Sequence, residues 1–311
     1  MIKNKEEIVE WLTEHNIQNF EIIDDLFYGY LVNVNESVSL SKKSLKDIPI
    51  KFNFINGHFN VNHNLLKNLD FSPIEVNGTF NISNNKITTL KDGPRKINGA
   101  YNCSHNLLEN LIGSPHNIQE QFLCNNNNLK SLIGSPEIVQ GHFTCSFNKL
   151  NTLENIGQQL LSTLNCQNNQ LTSLEFCPPT IINCFCSNNK LTNLKGLPKK
   201  IKGNIMCSRN LLENLEGSPE YIQGFLDCSF NKLKNLKGVP KYIGKNLIAY
   251  CNQLESLEYL PEIVDGKILV NSNEKLGDKQ LLDNLSAIRH SLFDKEINST
   301  NQFNKIIRRK L

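Results

Sequence analysis

Ten cysteines and four clustered histidines are the side chains best equipped to do chemistry in this 311-residue chain. Zinc sites need two or more ligands close in sequence, typically as C-x₂-C. The one close pair here is Cys184 and Cys186, with Phe185 between them. On a strand, one intervening residue points both thiols to the same side, which here is the inside. Seven cysteines (Cys103, Cys124, Cys145, Cys166, Cys186, Cys207 and Cys228) recur every 21 residues, with a single step of 20. So regular a column marks one inward position of a repeat, where a thiol serves as a small apolar side chain. Neighbouring strands lie about 4.8 Å apart, yet parallel side chains suit a disulfide poorly. The expectation is reduced, buried cysteine of a cytosolic protein, with no metal and no cofactor.

The histidines lead to the same place. His58, His63, His105 and His142 are expected at strand positions facing one surface. His63 and His105 share a column two strands apart, about 10 Å, too far to ligate one metal without His58 and a further ligand. Neither a phosphate loop nor G-x-S-x-G nor H-E-x-x-H occurs. No catalytic residue stands out, and the chain reads as a non-enzyme without a small-molecule substrate.

Composition narrows the class. The length suggests about two domains by itself. Charged residues at 20% and apolar ones at 39% describe a globular chain rather than a disordered tail. A net charge of +3 is too balanced for a dedicated nucleic-acid binder. No run approaches the roughly 18 apolar residues of a membrane span, so no membrane partner is expected. The opening Met1–Glu7 has no unbroken apolar stretch of the secretory kind, which points to a cytoplasmic protein. Asparagine is the abnormal count, at 47 residues. That residue favours turns over strands, so one turn must be used many times.

The elements that position these residues follow from the repeat. Asn64, Asn85, Asn106, Asn127, Asn148 and Asn169 are 21 residues apart; Asn189 follows after 20, then Asn210, Asn231, Asn252 and Asn273. Counting from each asparagine, a large apolar residue stands at −5, a small one at −3, and leucine or isoleucine at +2. Leucine returns at +5, and proline stands at +9 in most units. A worn unit with Val38, Leu40, Leu45, Ile48 and Pro49 precedes them, with Lys43 at the asparagine position. Apolar −5 and −3 alternating with polar neighbours predict a short half-buried strand. A lone unit cannot bury its apolar edge, so the units must stack. The asparagine follows the strand, where its amide can satisfy buried backbone groups as the chain turns inward. With proline at the outer bend and only 21 residues per unit, the convex side is expected to be extended or 3₁₀.

The unit Gly141-His142-Phe143-Thr144-Cys145-Ser146-Phe147-Asn148-Lys149-Leu150 resembles the leucine-rich-repeat pattern L-x-L-x-x-N-x-L, with Phe and Cys replacing two leucines. More narrowly it resembles leucine-rich-repeat proteins of tailed bacteriophages and some bacteria, over roughly residues 20–276. The resemblance implies a curved solenoid with a parallel sheet on the concave face and a function of holding a partner. Residues 1–20 are expected to form an N-terminal cap, with Lys3–Ile17 as an amphipathic helix using Ile8, Trp11, Leu12 and Ile17. Residues 21–276 are the solenoid. Residues 277–311 are expected to form a C-terminal helical cap and a basic tail ending Lys305-Ile306-Ile307-Arg308-Arg309-Lys310-Leu311.

The implied function is a non-enzymatic interaction module, phage-encoded, that binds a host bacterial protein such as a defence component, either inhibiting or recruiting it. The alternative is a secreted bacterial effector of the leucine-rich-repeat ubiquitin-ligase type lacking its catalytic domain, since no cysteine follows Cys251. The partner site is expected where outward strand positions change from polar to apolar. The −4 column reads Leu123, Thr144, Asn165, Phe185, Met206, Asp227, Ile248 and Leu269. Phe225 stands at −6, Tyr250 at −2, and Phe147, Arg209 and Phe230 at −1. Phe147, Phe185, Met206, Arg209, Phe225, Asp227, Phe230, Ile248 and Tyr250 are the candidate contact residues.

Overall fold

The computed structural model describes residues 4–276, and they form a succession of short strands rather than long elements. The expected C-terminal helix and basic tail lie outside the described residues.

Most repeats supply two strands, usually of two or three residues, one for each of two faces. The residues at −5 and −4 pair with their equivalents in the next unit, as in Phe122↔Phe143 and Leu123↔Thr144. Twelve such strands, from Val38–Ser39 to Ile268–Leu269, make one continuous parallel sheet. This is the sheet the repeat predicted, and the chain folds as a leucine-rich-repeat solenoid. The strands are shorter than the alternation suggested. The residue at −1 takes a left-handed conformation in all twelve units, from Lys42 (φ 57°) to Ser272 (φ 58°), which ends the strand early. None of the four histidines therefore lies within a strand. His63 and His105 occupy the left-handed position, and His58 and His142 immediately precede a strand.

The opposite side is also a sheet. The residues at −10 and −9 pair in parallel, as in Ile138↔Gln159 and Val139↔Leu160. Among the described residues this side is extended throughout, with no 3₁₀ segment. The second sheet is interrupted. Eight strands run to Gln159–Leu160, and four more run from Lys200–Ile201 to Ile263–Val264. The gap coincides with the 20-residue unit and with Pro178-Pro179. Pro179 has no N–H to give to the ladder. At Leu160 O, where neighbouring turns use a backbone N–H (Leu161 N to Val139 O), the Thr180 hydroxyl donates instead, at 2.9 Å.

Between the two faces the core is a stack of columns. Phe59, Phe80, Tyr101, Phe122 and Phe143 form a fully buried aromatic ladder with ring centroids 5.2–5.7 Å apart. Leu164, Cys184, Ile205, Leu226 and Leu247 continue it. The shortened unit carries the smallest of these side chains, Cys184, in keeping with its reduced interior.

The eleven asparagines make one repeated set of bonds. Asn127 is typical: its Nδ2 donates to Cys103 O and Cys124 O, both at 3.1 Å, and its Oδ1 accepts from Leu108 N at 3.0 Å. Each amide thus ties its own turn to the preceding one. Asn64 serves the worn first unit, accepting from Lys43 N and Leu45 N.

At the N-terminal end, helix α1 (Lys5–Glu14) starts with the Asn4 side chain accepting from Glu7 N and seats Ile8 and Leu12 on the first turn. It is shorter at both ends than the expected Lys3–Ile17, and Asn16 (φ 58°) terminates it. A hairpin follows that the repeat did not indicate. Strand β1 (Phe20–Asp25) pairs antiparallel with β2 (Gly29–Val34), and β2 joins the second sheet through Val32↔Phe52.

Candidate partner-binding face

The face of the twelve-stranded sheet is built from the bottom by two backbone rules. The residue at −4 lies in the strand in every unit, and Thr163 and Asn183 are the two −6 residues that do so as well. The residues at −2 and −1 belong to the turn, and elsewhere −6 precedes the strand.

The first rule concerns −4. Where that residue is Asn or Asp, its side chain closes the turn onto the amide two residues on. Asn60 accepts from Asn62 N, Asn81 from Ser83 N, Asn102 from Ser104 N and Asn165 from Gln167 N. Asp227 does the same, accepting from the N–H and the hydroxyl of Ser229. Phe185, Met206 and Ile248 have no such acceptor and forgo that bond. They are half-buried, and their backbones are paired side by side: Phe185↔Met206, Met206↔Asp227 and Asp227↔Ile248. The sequence placed Asp227 among the contact residues; its carboxylate already has an internal task within the turn.

The second rule concerns −1, where the backbone demands a positive φ. Asparagine meets that demand at least cost, and it fills the position at Asn84, Asn126, Asn168 and Asn188. Phe147 (φ 54°), Arg209 (φ 55°) and Phe230 (φ 56°) adopt the same conformation against their preference. None tucks beneath the turn: Phe147 is 55% exposed and Phe230 41%. The Arg209 guanidinium lies 4.4 Å from the Phe230 ring centroid, and Phe230 meets Tyr250 edge-on at 6.3 Å. The structure thus gathers Arg209, Phe230 and Tyr250 into one stacked group beside Met206 and Asp227. Phe225 is half-buried at the entry to that strand, while Phe147 stands three turns away. The left-handed column was the feature that strand periodicity could not reveal, although its recurring Asn was a legible signal of a turn.

Burial disfavours ionisation of most thiols beneath this face. Burial pushes up the thiols of Cys103, Cys124, Cys207 and Cys228, and that of Cys145 to about 12. Several donate into the sheet, such as Cys124 Sγ to Thr144 O at 3.3 Å. At the shortened unit, Cys166, Cys177 and Cys186 surround Cys184; hydrogen bonds to Cys184 and burial push those three thiols up. Among the described residues no group of three or more His, Cys, Asp or Glu is arranged to hold a metal ion. No helix of the described residues is long and apolar enough to cross a membrane.

The fold and this face define a leucine-rich-repeat solenoid with one polar and one apolar end to its sheet. Among solved structures the chain is similar to YopM from Yersinia enterocolitica WA-314, with a TM-score of 0.50 and 18% identity. That match covers 75% of this chain but only 64% of the other, so this chain spans less than two thirds of it. It is also similar to YopM, described as a leucine-rich effector protein, from Yersinia pestis, with a TM-score of 0.49 and 20% identity over 77% of this chain and 86% of that one. At such identities the likeness is one of fold. No protein-family model matches the chain, and no curated protein matches it.

Proposed function

We propose that this chain is a non-enzymatic protein-interaction module whose partner seats on the C-terminal half of the twelve-stranded face. The observation that carries this reading is the placement of Phe147, Arg209 and Phe230 at left-handed positions. An aromatic ring held there costs backbone energy, gains little burial and stands in solvent. Phe185 and Met206 add to it, since each replaces an asparagine that would close its own turn. Residues that lower stability while enlarging an exposed apolar surface are explained by what they contact outside the chain. Arg209, Phe230 and Tyr250 form the rigid centre, with Met206, Phe185, Phe225 and Ile248 as the surrounding apolar floor. Phe147 is the outlying contact, and Asp227 holds the turn beneath.

The resemblance of the repeat wording to phage leucine-rich-repeat proteins supports a host bacterial protein as the partner, met in the bacterial cytoplasm and inhibited by being covered. The test is capture from bacterial lysate followed by mass spectrometry. Wild-type chain should retain a partner that the Phe185→Asn/Met206→Asn chain loses, with the two chains melting within a few degrees of each other. Unfolding of the double variant would make these residues core. Undiminished capture by a folded variant would place the interface elsewhere.

A further inference from the structure

The turn between β1 and β2 exposes Leu26 completely and Phe27 to 92%. The next most exposed large apolar side chain among the described residues is Phe147, at 55%. An apolar loop without internal support folds back onto the body; this one is held out. Asp25 Oδ1 accepts from Phe27 N at 2.9 Å and from Tyr28 N at 2.8 Å, which fixes the turn. Gly29 (φ +77°) closes the hairpin in a conformation that suits glycine. On the inner side, the Tyr28 ring lies 5.5 Å from Nζ of Lys51, a lysine only 5% exposed. The turn is therefore clamped at both ends, and the two residues left over are the two that water would disfavour most.

We infer that the Leu26–Phe27 tip is a second anchor, which inserts into an apolar pocket with a cationic rim on a protein partner. Shape selects a pocket, because a convex tip of two side chains cannot make a flat interface. Charge selects the rim. Glu21, Asp24 and Asp25 lie along β1 beside the tip, Lys5 offsets Asp24 at 3.1 Å, and Lys51 is sequestered beneath Tyr28. The same acidic flank opposes insertion into an anionic bilayer. The inference is independent of the twelve-stranded face, which lies on the other sheet.

The experiment places a photoreactive benzophenone side chain at position 27 of the full chain, with position 91 as an exposed control. The labelled chain is irradiated in bacterial lysate with excess unlabelled competitor. One species should cross-link from position 27 and not from 91. Wild-type chain and the Phe185→Asn/Met206→Asn chain should each compete it away, whereas Leu26→Ser/Phe27→Ser should compete about tenfold or more weakly. Asp24→Lys should also compete more weakly, and it should flatten the salt dependence of binding. Both tip side chains are exposed and Asp25 is retained, so circular dichroism and the thermal midpoint should match wild type. Equal competition by the Leu26→Ser/Phe27→Ser chain overturns the inference. So does cross-linking between two copies of the chain, and so does Phe27-dependent sedimentation with phosphatidylcholine–phosphatidylserine vesicles.

Discussion

At the scale of single residues, two kinds of side chain do opposite work. The ladder asparagines are stability made repetitive. Replacing Asn127 by Ala leaves Leu108 N without its acceptor in a buried site, while Cys103 O and Cys124 O keep the amides of Asn106 and Asn148, so stability should fall by about 1–3 kcal/mol, measured by urea unfolding. Asn127→Asp should do no better, because it can accept from Leu108 N but cannot donate. The exposed aromatics are the reverse. Phe147→Asn and Phe230→Asn put the preferred residue at a left-handed position, so each should raise stability by about 0.5–1 kcal/mol while weakening partner capture. If either variant is less stable than wild type, the aromatic ring is structural and the functional reading of that position fails. The thiols give a pH signature. Burial keeps Cys103, Cys124, Cys145, Cys207 and Cys228 protonated in the fold, with Cys145 up at about 12, whereas unfolded thiols ionise near pH 8.5. Below that pH the contribution to stability is complete. Above it the unfolded chain binds fewer protons than the native one, and stability should drop by about 1.4 kcal/mol per pH unit for each such thiol. Urea midpoints that are flat from neutral pH to about 8 and fall steeply by about 10 would bear this out.

At the scale of elements, what could be read from sequence was whatever the repeat repeats. Asn, Cys, Leu and Pro recur because each coil meets the same neighbours, and that local environment is copied eleven times along the chain. The residues of the proposed partner face stood out for the same reason, as departures from a column: Phe185 and Met206 stand where Asn60, Asn81 and Asn102 stand elsewhere. Two things were illegible because they depend on pairings outside the period. The hairpin of β1 and β2 exists because Val32 can pair with Phe52 in the second sheet, a contact that no 21-residue window contains. The left-handed −1 position is imposed by the bend of the coil, so alternation alone read it as strand. The break in the second sheet was half visible, since the 20-residue spacing and Pro178-Pro179 could be seen but not their effect. The Thr180 hydroxyl bridges that break beside the backbone bond from Ile182 N to Ser162 O. Thr180→Val keeps the shape and removes the bond to Leu160 O, and should lower the unfolding free energy by about 1 kcal/mol in the same urea assay. An unchanged midpoint would mean that water replaces the hydroxyl at no cost.

At the scale of the whole molecule, the two faces differ in continuity. Twelve strands run unbroken along one side, while the other side is divided into eight and four. A coil tied on both sides resists bending in either direction. The eighth of the twelve coils forms no strand on the second side: there Ile182 N donates to Ser162 O and Gly203 N to Ile182 O, and the Thr180 hydroxyl supplies the bond to Leu160 O. That coil acts as the compliant turn of a spring, and it carries Phe185. Bending there alters the distance from Phe147, on one side of the compliant turn, to the Arg209–Phe230–Tyr250 group on the other, while leaving the spacing within each half unchanged. The proposed binding surface is therefore two stiff plates joined by a flexure, and a partner that grips both plates would set the angle between them.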